Sequence, residues 1–325
     1  MRDGKIIGVG HYCPDRVVSN DELSTIVDTS HQWIHKRTGI SERRISEGQG
    51  TVELAVRAAE KALSQAECSA EEIDLIIVAT TTPDRILPST ACTVQSKLGC
   101  VNAAAFDIFA ACSGFVYGMI VANSLIKCGQ GKKALIIGSE VLSRIVNWED
   151  RNTCVLFGDG AGAAVLEVSE DNSRIIGSHF GSDGTRGQNA LKASAFSLNT
   201  PFAKDITEPI KYIEMDGKDV FRFAIKILPE VVNKLLEQCN EDISNIKYIV
   251  PHQANMRIID DAAKRLKISK DKFFINLESY GNTSAASVPI ALSELVENNL
   301  LEKGDKIILV AFGGGLTWAG VLLEW

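Results

Sequence analysis

Short apolar runs alternate along this chain with segments in which apolar side chains recur every three or four residues. Residues 73–78 form one such run, and a helical pattern follows it to about Leu98. A second helical pattern, from Ser113 to Lys127, leads into the apolar run 134–138. Strands that are apolar on both faces belong to sheets covered by helices. The pattern therefore predicts an α/β fold with largely buried strands.

The second half of the chain repeats this pattern at a constant offset. The apolar run that starts at Ile246 lies 173 residues after the run that starts at Ile73. The run that starts at Gly304 likewise lies 173 residues after the run that starts at Gly131. Because one offset serves both pairs, the sequence indicates a duplicated βαβ unit.

We therefore expect two similar halves, residues 1–170 and residues 171–325, that pack about a pseudo-twofold axis. Between them, residues 181–210 are rich in Gly, Ser, Asn, Thr and Pro, which predicts a surface loop. The glycine-rich stretch 157–164 lacks the Lys-Ser/Thr of a phosphate-binding loop. We interpret it as a tight turn between strands.

Composition excludes several classes of protein. A chain of 325 residues that is 45% hydrophobic can bury a large core, and its formal charge of -7 argues against a general nucleic-acid binder. No apolar run is long enough to span a bilayer, and the first residues lack the apolar core of a signal peptide. We expect a cytoplasmic protein that binds neither nucleic acid nor membrane.

The eight cysteines are scattered through apolar sequence without a paired CxxC spacing. We expect free thiols rather than disulfides. No tight pair of Cys or His ligands is present, so we expect no metal site.

Cys112 has a setting that the other seven cysteines lack, because an apolar strand pattern gives way there to a helical one. Backbone N–H groups and the positive end of a helix dipole at such a position favour the thiolate, which is the nucleophilic form of cysteine. A cysteine in apolar sequence is more often simply a small buried side chain. The setting nevertheless makes Cys112 the candidate nucleophile.

His252 and Asn282 occupy comparable positions in the second half. Of the five histidines, only His252 is predicted to lie at the end of a buried strand, and Asn282 lies in a predicted strand-to-helix turn. Taken singly, a core histidine and a helix-capping asparagine would explain them. The pseudo-twofold axis, however, would bring these ends together with Cys112. Nucleophile, base and amide donor would then share one pocket.

The glycines 313–315 end the last repeated strand. Glycine lets the backbone approach a substrate closely, and an exposed N–H group there could bind an oxyanion. A bend before a final strand would explain the same glycines.

These segments together resemble a known family, the β-ketoacyl-acyl-carrier-protein synthases III of the thiolase superfamily, over essentially the whole chain. The segments that carry the resemblance are Trp33-Ile34 with Arg37-Thr38-Gly39-Ile40, Ala111-Cys112-Ser113-Gly114-Phe115, the stretch from Asp150 to Gly162, Pro251-His252-Gln253-Ala254-Asn255, Tyr280-Gly281-Asn282-Thr283-Ser284 and Gly313-Gly314-Gly315.

The resemblance implies a homodimer of five-layered α/β/α/β/α subunits that catalyses a decarboxylative condensation. Cys112 would be acylated by an acyl-CoA primer, typically acetyl-CoA. His252 and Asn282 would hydrogen-bond the thioester carbonyl of malonyl-acyl carrier protein, and the enolate formed on loss of CO2 would attack the acyl group. The N–H groups of Cys112 and Gly314 would bind the oxyanion. This chemistry requires no cofactor.

The resemblance also implies binding residues for coenzyme A. Trp33 and Arg151 would sandwich the adenine, while Thr29 and Arg37 would contact the nucleotide end. An aromatic ring beside a cation is a suitable site for a purine.

A basic patch for the acidic carrier protein is implied as well. It would consist of Arg257 together with Arg222, Lys264 and Arg265. Taken alone, the charged run around Lys264 would be a solvated helix face.

The chain departs from the family pattern in two segments. His31-Gln32 stand where acidic residues are usual, at the rim of the coenzyme A tunnel. Leu87 replaces a phenylalanine that one subunit contributes to the acyl pocket of the other. This second difference bears on the primer preference.

Three other functions fit part of the pattern. A Cys-His-Asn hydrolase uses the same three residue types. A thiolase-fold acyltransferase or synthase of secondary metabolism would share the scaffold and Cys112. A non-catalytic acyl-CoA or carrier-protein binding module would keep the fold without needing all three residues. The duplicated βα units and the His-Asn pair favour carbon–carbon bond formation.

Overall fold

The computed structural model describes residues 3–193, 201–202 and 211–325. The strands are β1 Gly4–Tyr12, β2 Val17–Ser19, β3 Glu42–Arg44, β4 Leu75–Ala79, β5 Ala104–Ile108, β6 Lys133–Glu140, β7 Gly160–Val168, β8 Arg174–Ser182, β9 Leu191–Lys192, β10 Glu214–Met215, β11 Ile246–Pro251, β12 Lys306–Gly313 and β13 Thr317–Glu324. The α-helices are α1 Asn20–Leu23, α2 His31–Thr38, α3 Thr51–Gln65, α4 Thr90–Leu98, α5 Gly114–Lys127, α6 Gly184–Ala190, α7 Gly217–Cys239, α8 Met256–Leu266, α9 Leu277–Tyr280 and α10 Ser287–Glu297.

Two large sheets share an arrangement of four strands, to which the first sheet adds β5. The first has the strand order β1-β7-β6-β4-β5 and the second the order β11-β12-β13-β8. In each sheet the two strands of the repeated unit are parallel, and the next two strands are antiparallel to their neighbours. The first sheet uses strands up to Val168 and the second uses strands from Arg174 onward.

Cross-strand pairing shows the duplication residue by residue. Leu75 of β4 pairs with Ala134 of β6. In the second sheet Tyr248 pairs with Ile307, and both residues lie 173 positions later. The edge pairs β1–β7 and β8–β13 each contain one register shift. The predicted duplication is thus confirmed, whereas the division of the chain at residue 170 stays a prediction.

Helices cover both sheets and separate them, which gives the five layers α/β/α/β/α. The helices α3 and α4 pack on the outer face of the first sheet, and α7 and α8 pack on the outer face of the second. Between the sheets lie α5 and α10. Phe115 and Met119 of α5 are fully buried because both sheets cover that helix. No helix in the described ranges is both long and apolar enough to cross a bilayer.

The segment that follows the first half contains regular structure that its composition does not indicate. β8 continues to Ser182 and α6 follows it at Gly184–Ala190, so the loop predicted for residues 181–210 is wrong over that part. Asp183 caps α6 by accepting the Arg186 N–H group at 3.1 Å. Residues 194–200 and 203–210 of the predicted loop lie outside the described residues.

The glycine-rich stretch 157–164 does not form the predicted turn, because Gly160 and Gly162 lie inside β7. A Cβ atom on Gly162 would come within 2.7 Å of the Pro289 backbone in α10. Glycine is needed here because α10 packs closely on the strand.

Each half approaches a turn of the other half at a glycine. A Cβ atom on Gly138 of β6 would lie 2.2 Å from the carbonyl oxygen of Ala285. A Cβ atom on Gly313 of β12 would lie 2.7 Å from the backbone nitrogen of Cys112. Both contacts are with backbone atoms, so neither position can accept a side chain unless the two halves move apart.

Replacing Gly138 with alanine should therefore destabilise the protein by about 1–3 kcal/mol or more, as overpacking of a dense interior does. Urea unfolding of the purified variant measures the effect. Gly184→Ala is the matched control, since a Cβ atom at Gly184 meets nothing within 4 Å. Equal stability of Gly138→Ala and the wild type would contradict this description of the interface between the halves.

Candidate active site

Cys112 lies where the first half turns from β5 into α5, as predicted. Residues Ala111–Ser113 form a single turn of 3-10 helix, and Ala111 has a left-handed backbone with φ of 46°. Cys112 is buried. Together with the other seven cysteines, it is a free thiol, which confirms that prediction.

The second half has an equivalent turn. Residues Ser284–Ala286 form a 3-10 turn before α10, and Ser284 has φ of 51°. Ser284 lies 173 residues after Ala111, so the left-handed position is part of the repeat. The two turns pack against each other. This contact brings the start of α10 beside Cys112.

Asn282 is fixed on both its backbone and its side chain. Its backbone N–H group donates to Leu156 O at 2.8 Å, and its carbonyl accepts from the Gly158 N–H group at 3.0 Å. Its side-chain Oδ1 accepts from the Ser284 N–H group at 2.9 Å. Because Oδ1 is occupied, the amide NH2 group is the part of Asn282 that remains to donate to a substrate.

His252 follows β11 and is almost fully buried. Its backbone N–H group donates to Val310 O at 2.7 Å, and its Nδ1 atom lies 2.6 Å from Ser287 Oγ. The Phe312 ring meets the imidazole edge to face at 5.3 Å between centroids. Burial lowers the pKa of His252 to about 3, so the ring is neutral at physiological pH.

Burial also decides the ionisation of Cys112. It raises the pKa of the Cys112 thiol to about 12, and the nearby Glu140 acts in the same direction. The Ser284 hydroxyl group beside the sulfur and the Cys112 backbone N–H group lower the pKa, but burial outweighs them. Burial therefore favours the neutral thiol, and it opposes the stabilisation of the thiolate that the sequence predicts.

The glycine turn that follows β12 lies against the nucleophile. Thr317 at the start of β13 holds this turn, because its hydroxyl group contacts Ala110 O, Ser113 Oγ and Gly314 O, each at 3.1 Å. A Cβ atom on Gly314 would lie 3.6 Å from the Ala111 side chain. The structure thus brings Gly314 next to Cys112, as the predicted oxyanion site requires.

A buried carboxylate that sequence analysis missed joins the halves beside this site. Glu140, the last residue of β6, accepts hydrogen bonds from the threonines at 80–82 and from Ser284 Oγ at 3.1 Å. Burial raises its pKa even though these donors oppose the shift. The apolar run was predicted to end at Gly138, and an acidic residue just after such a run gives no signal that it is buried.

A second histidine also lies near a strand end, which sequence analysis did not foresee. His11 belongs to the last part of β1, and its Nδ1 atom lies 3.0 Å from Ser293 Oγ and 3.3 Å from Glu297. Both partners belong to α10, so the Nδ1 atom of His11 has its polar contacts there. It is therefore not brought to the site.

The predicted coenzyme A residues cluster around one indole ring. The Arg37 and Arg151 guanidinium carbons lie 4.3 Å and 4.9 Å from the centroid of the Trp33 ring. Arg151 also donates to Asp28 O at 2.9 Å. The Thr29 hydroxyl oxygen is buried without a hydrogen-bond partner in the part of the chain that the structure describes. The structure therefore brings the four predicted residues to one region.

This cluster is connected to the catalytic residues through the backbone. Asn255, three residues after His252, donates from its side chain to Arg37 O at 3.1 Å. The segment that carries Arg151 leads to Leu156, which binds Asn282. Hydrogen bonds therefore hold the segments of the Trp33 cluster against the segments that carry His252 and Asn282.

The four predicted carrier-protein residues are exposed on two adjacent helices, Arg222 on α7 and Arg257, Lys264 and Arg265 on α8. Arg265 pairs with Asp261 on its own helix. That pairing reduces the net positive charge of the patch.

Leu87 lies in an exposed segment before α4, and its side chain is 83% accessible. It therefore does not line a closed pocket of its own chain. Among the described residues no group of three or more Cys, His, Asp or Glu side chains could hold a metal ion.

The site geometry separates this protein from a Cys-His-Asn hydrolase. In such hydrolases the asparagine orients the histidine, which pairs with a thiolate. Here the Nδ1 atom of His252 binds Ser287, and no hydrogen bond joins Asn282 to His252 within the described ranges. Two duplicated halves that enclose a buried cysteine and two neutral donors define a thiolase-like condensing enzyme.

Comparison with known proteins identifies the family. The model of 3-oxoacyl-[acyl-carrier-protein (ACP)] synthase III matches residues 106–184, and the model of its C-terminal part matches residues 236–325. The β-ketoacyl-[acyl-carrier-protein] synthase III of Clostridium novyi (strain NT) is 52% identical over 325 residues, which cover 100% of both chains. This chain therefore belongs to the β-ketoacyl-acyl-carrier-protein synthase III family and is a condensing acyltransferase.

Solved structures agree with this assignment. The 3-oxoacyl-[acyl-carrier-protein] synthase III of Aquifex aeolicus VF5 matches with a TM-score of 0.93 at 46% identity, over 99% of this chain and 100% of that chain. The priming β-ketosynthase of the R1128 polyketide biosynthetic pathway matches with a TM-score of 0.91 at 35% identity, over 99% and 96% of the two chains.

The neutral state of Cys112 predicts its alkylation kinetics. The rate with iodoacetamide should rise about tenfold per pH unit, without a plateau, between about pH 6 and pH 9, because the thiolate stays a minor form. Peptide mass mapping follows the reaction, and Cys112→Ala gives the background. A plateau below about pH 7 would instead show a thiolate paired with an imidazolium.

Proposed function

We propose that this enzyme joins the acyl group of an acyl-CoA primer, typically acetyl-CoA, to malonyl-acyl carrier protein. The products are a 3-oxoacyl-acyl carrier protein, CoA and CO2, and the reaction starts fatty-acid synthesis. The observation that carries this proposal is the packing of the turn that holds the buried Cys112 against the turn 284–286. The Ser284 N–H group of that second turn fixes the amide of Asn282, and Ser287, which follows it, contacts the neutral His252.

In the first half-reaction the Cys112 sulfur attacks the thioester carbon of the primer. A carbon–sulfur bond to Cys112 forms, the bond to the CoA sulfur breaks, and the thiol proton leaves with CoA. The N–H groups of Cys112 and Gly314 are the donors for the tetrahedral oxyanion. The thiol needs to ionise only as it attacks, which suits its neutral resting state.

In the second half-reaction His252 and Asn282 act on the malonyl thioester. Both are uncharged donors, so both can hydrogen-bond the thioester carbonyl oxygen as it gains negative charge. The bond to the carboxylate carbon breaks, CO2 leaves, and the electron pair forms an enolate. The enolate carbon attacks the acyl group, and Cys112 leaves as the thiolate. Decarboxylation supplies the carbanion, so we propose that no metal or cofactor takes part.

The Trp33 cluster is proposed to bind the adenine end of CoA. A purine stacked between two groups needs about 7 Å between them, at van der Waals contact on each side. Arg151 lies 4.9 Å from the Trp33 ring, so it must move away when adenine enters. Its exposed ion pair with Asp28, at 3.7 Å, is weak enough to be displaced. Thr29 and Arg37 would then contact the nucleotide.

A homodimer is proposed on the basis of one edge of the first sheet. β5 is the edge strand of that sheet, and it ends beside Phe109, which is 79% exposed. Edge strands with exposed apolar neighbours favour pairing with another chain. Leu87, exposed before α4, would then enter the acyl pocket of the partner and affect primer choice.

The eight free thiols and the use of acyl-CoA suit the reducing cytoplasm, which we propose as the site of action. A second candidate function is a priming synthase of secondary metabolism. The 35% identity to the priming β-ketosynthase of the R1128 polyketide biosynthetic pathway supports this second candidate. The identity of the ketoacyl product separates the two.

The covalent step is tested by intact mass. Wild-type enzyme incubated with acetyl-CoA should gain one acetyl group on the Cys112 peptide, and malonyl-acyl carrier protein should then discharge it as acetoacetyl-carrier protein. Cys112→Ser should show neither event, because the hydroxyl group lacks a dedicated base here. A panel of acyl-CoAs defines the primer. Condensation by Cys112→Ser, or an unlabelled wild type that still condenses, would overturn the proposal.

The carrier-protein patch is tested by charge reversal. Arg257→Glu should raise the KM for malonyl-carrier protein about tenfold and leave primer acylation nearly unchanged, because like charge opposes docking. Higher salt should weaken wild-type turnover in the same way. Lys234→Glu is the control, since Lys234 is also exposed but lies about three turns beyond Arg222 along α7. An unchanged KM for malonyl-carrier protein in Arg257→Glu would contradict the docking role and would show that Arg257 lies on a helix face that contacts only solvent.

A further inference from the structure

We propose that Ser287 is a positioning residue that holds His252 in the tautomer with its proton on Nε2. His252 would then face the substrate as a hydrogen-bond donor and not as a base. This inference deepens the proposed function and rests on it, because it specifies how the malonyl thioester carbonyl is bound.

The contact between the two side chains is short and buried. Ser287 is the first residue of α10, and its Oγ atom lies 2.6 Å from Nδ1 of His252. Both residues are 2% exposed. The other neighbour of this oxygen is the backbone N–H group of Gln253, which donates to it at 3.4 Å. The hydroxyl group therefore sits between one fixed N–H donor and one ring nitrogen.

Counting protons at this hydroxyl group selects the tautomer. If Ser287 donates to Nδ1, its oxygen accepts from Gln253 and every polar group is satisfied. If Nδ1 carries the proton instead, the Ser287 oxygen receives two N–H donors and its own hydrogen has no acceptor. No other acceptor for this hydroxyl group is present within residues 3–193, 201–202 and 211–325. A buried donor without a partner is costly, so the first arrangement is favoured.

No other described residue around His252 favours the opposite tautomer. Burial alone lowers the pKa of the ring, with no charged group shifting it. Phe312 packs edge to face on the imidazole and offers no acceptor. The tautomer is therefore set by Ser287 and not by an ion pair.

Gln253 keeps the second contact in place. Its side-chain Nε2 atom donates to Pro251 O at 2.8 Å and to Phe274 O at 3.1 Å, and its Oε1 atom accepts from the Asn276 N–H group at 3.2 Å. These bonds hold the Gln253 backbone N–H group near the Ser287 hydroxyl group.

One short segment thus orients both proposed donors. The Ser284 N–H group fixes the amide of Asn282, and the Ser287 hydroxyl group fixes the ring of His252. An amide NH2 group and an imidazole N–H group suit an enolate oxygen, whereas a ring nitrogen with a lone pair would repel it.

Nitrogen NMR of histidine-labelled enzyme tests the assignment without substrate. Two-bond proton–nitrogen correlations distinguish the two tautomers, and the spectrum of His252→Ala identifies the signals of His252. The wild type should show one tautomer, protonated at Nε2. A wild-type ring protonated at Nδ1 would overturn the inference even if the enzyme condenses normally.

Ser287→Ala should lose this tautomer preference and should slow malonyl decarboxylation by about 10-fold to 100-fold, the usual effect of removing an orienting partner. Cys112 acylation should change little. Ser287→Thr should restore both the tautomer and most of the rate, because it keeps the hydroxyl group. Unchanged decarboxylation and an unchanged tautomer in Ser287→Ala would also overturn the inference. Failure of wild-type decarboxylation itself would instead count against the proposed function.

Discussion

The structure depends on two places where the backbones of the halves cross without room for a side chain. Gly138 of β6 lies against Ala285, and Gly313 of β12 lies against Cys112. These crossings place the turns before α5 and α10 next to each other. Glu140 then ties the turn at Ser284 to the first half through hydrogen bonds. The Cys112 pocket is therefore a product of the interface between the halves.

Burial at this interface sets the chemistry of the pocket. It keeps the Cys112 thiol and the His252 imidazole uncharged before substrate arrives. An uncharged histidine and an amide can donate to an oxygen that becomes negative during the reaction. In a site that excludes water, such fixed donors stabilise developing charge strongly. The same desolvation makes a thiolate–imidazolium pair unfavourable, which distinguishes this arrangement from that of the cysteine hydrolases.

Much of the fold and the site could be predicted from sequence because the signals are local or repeated. The parallel strands at Leu75–Ala79 and Ile246–Pro251 are short, largely apolar runs, and the 173-residue offset between them indicated a duplication. The setting of Cys112 between strand and helix was visible for the same reason. The predictions that failed did so because of contacts between residues that are distant in the sequence. Gly187 of α6 packs so tightly on Gly315 that a Cβ atom would overlap it, and no local pattern reports such a contact. Glu140 and Ser287 were missed because their partners lie far away in sequence.

The central claim is that Cys112 and the His252–Asn282 pair perform separate half-reactions within one pocket. Its most direct test is labelled CO2 release from malonyl-carrier protein, measured beside acetyl-CoA labelling for Cys112→Ala and Asn282→Ala. The account predicts that Cys112→Ala still releases CO2 but takes no label. It predicts that Asn282→Ala takes the label but releases CO2 about 10² to 10³ times more slowly. Equal loss of both activities in the two variants would contradict the division of roles.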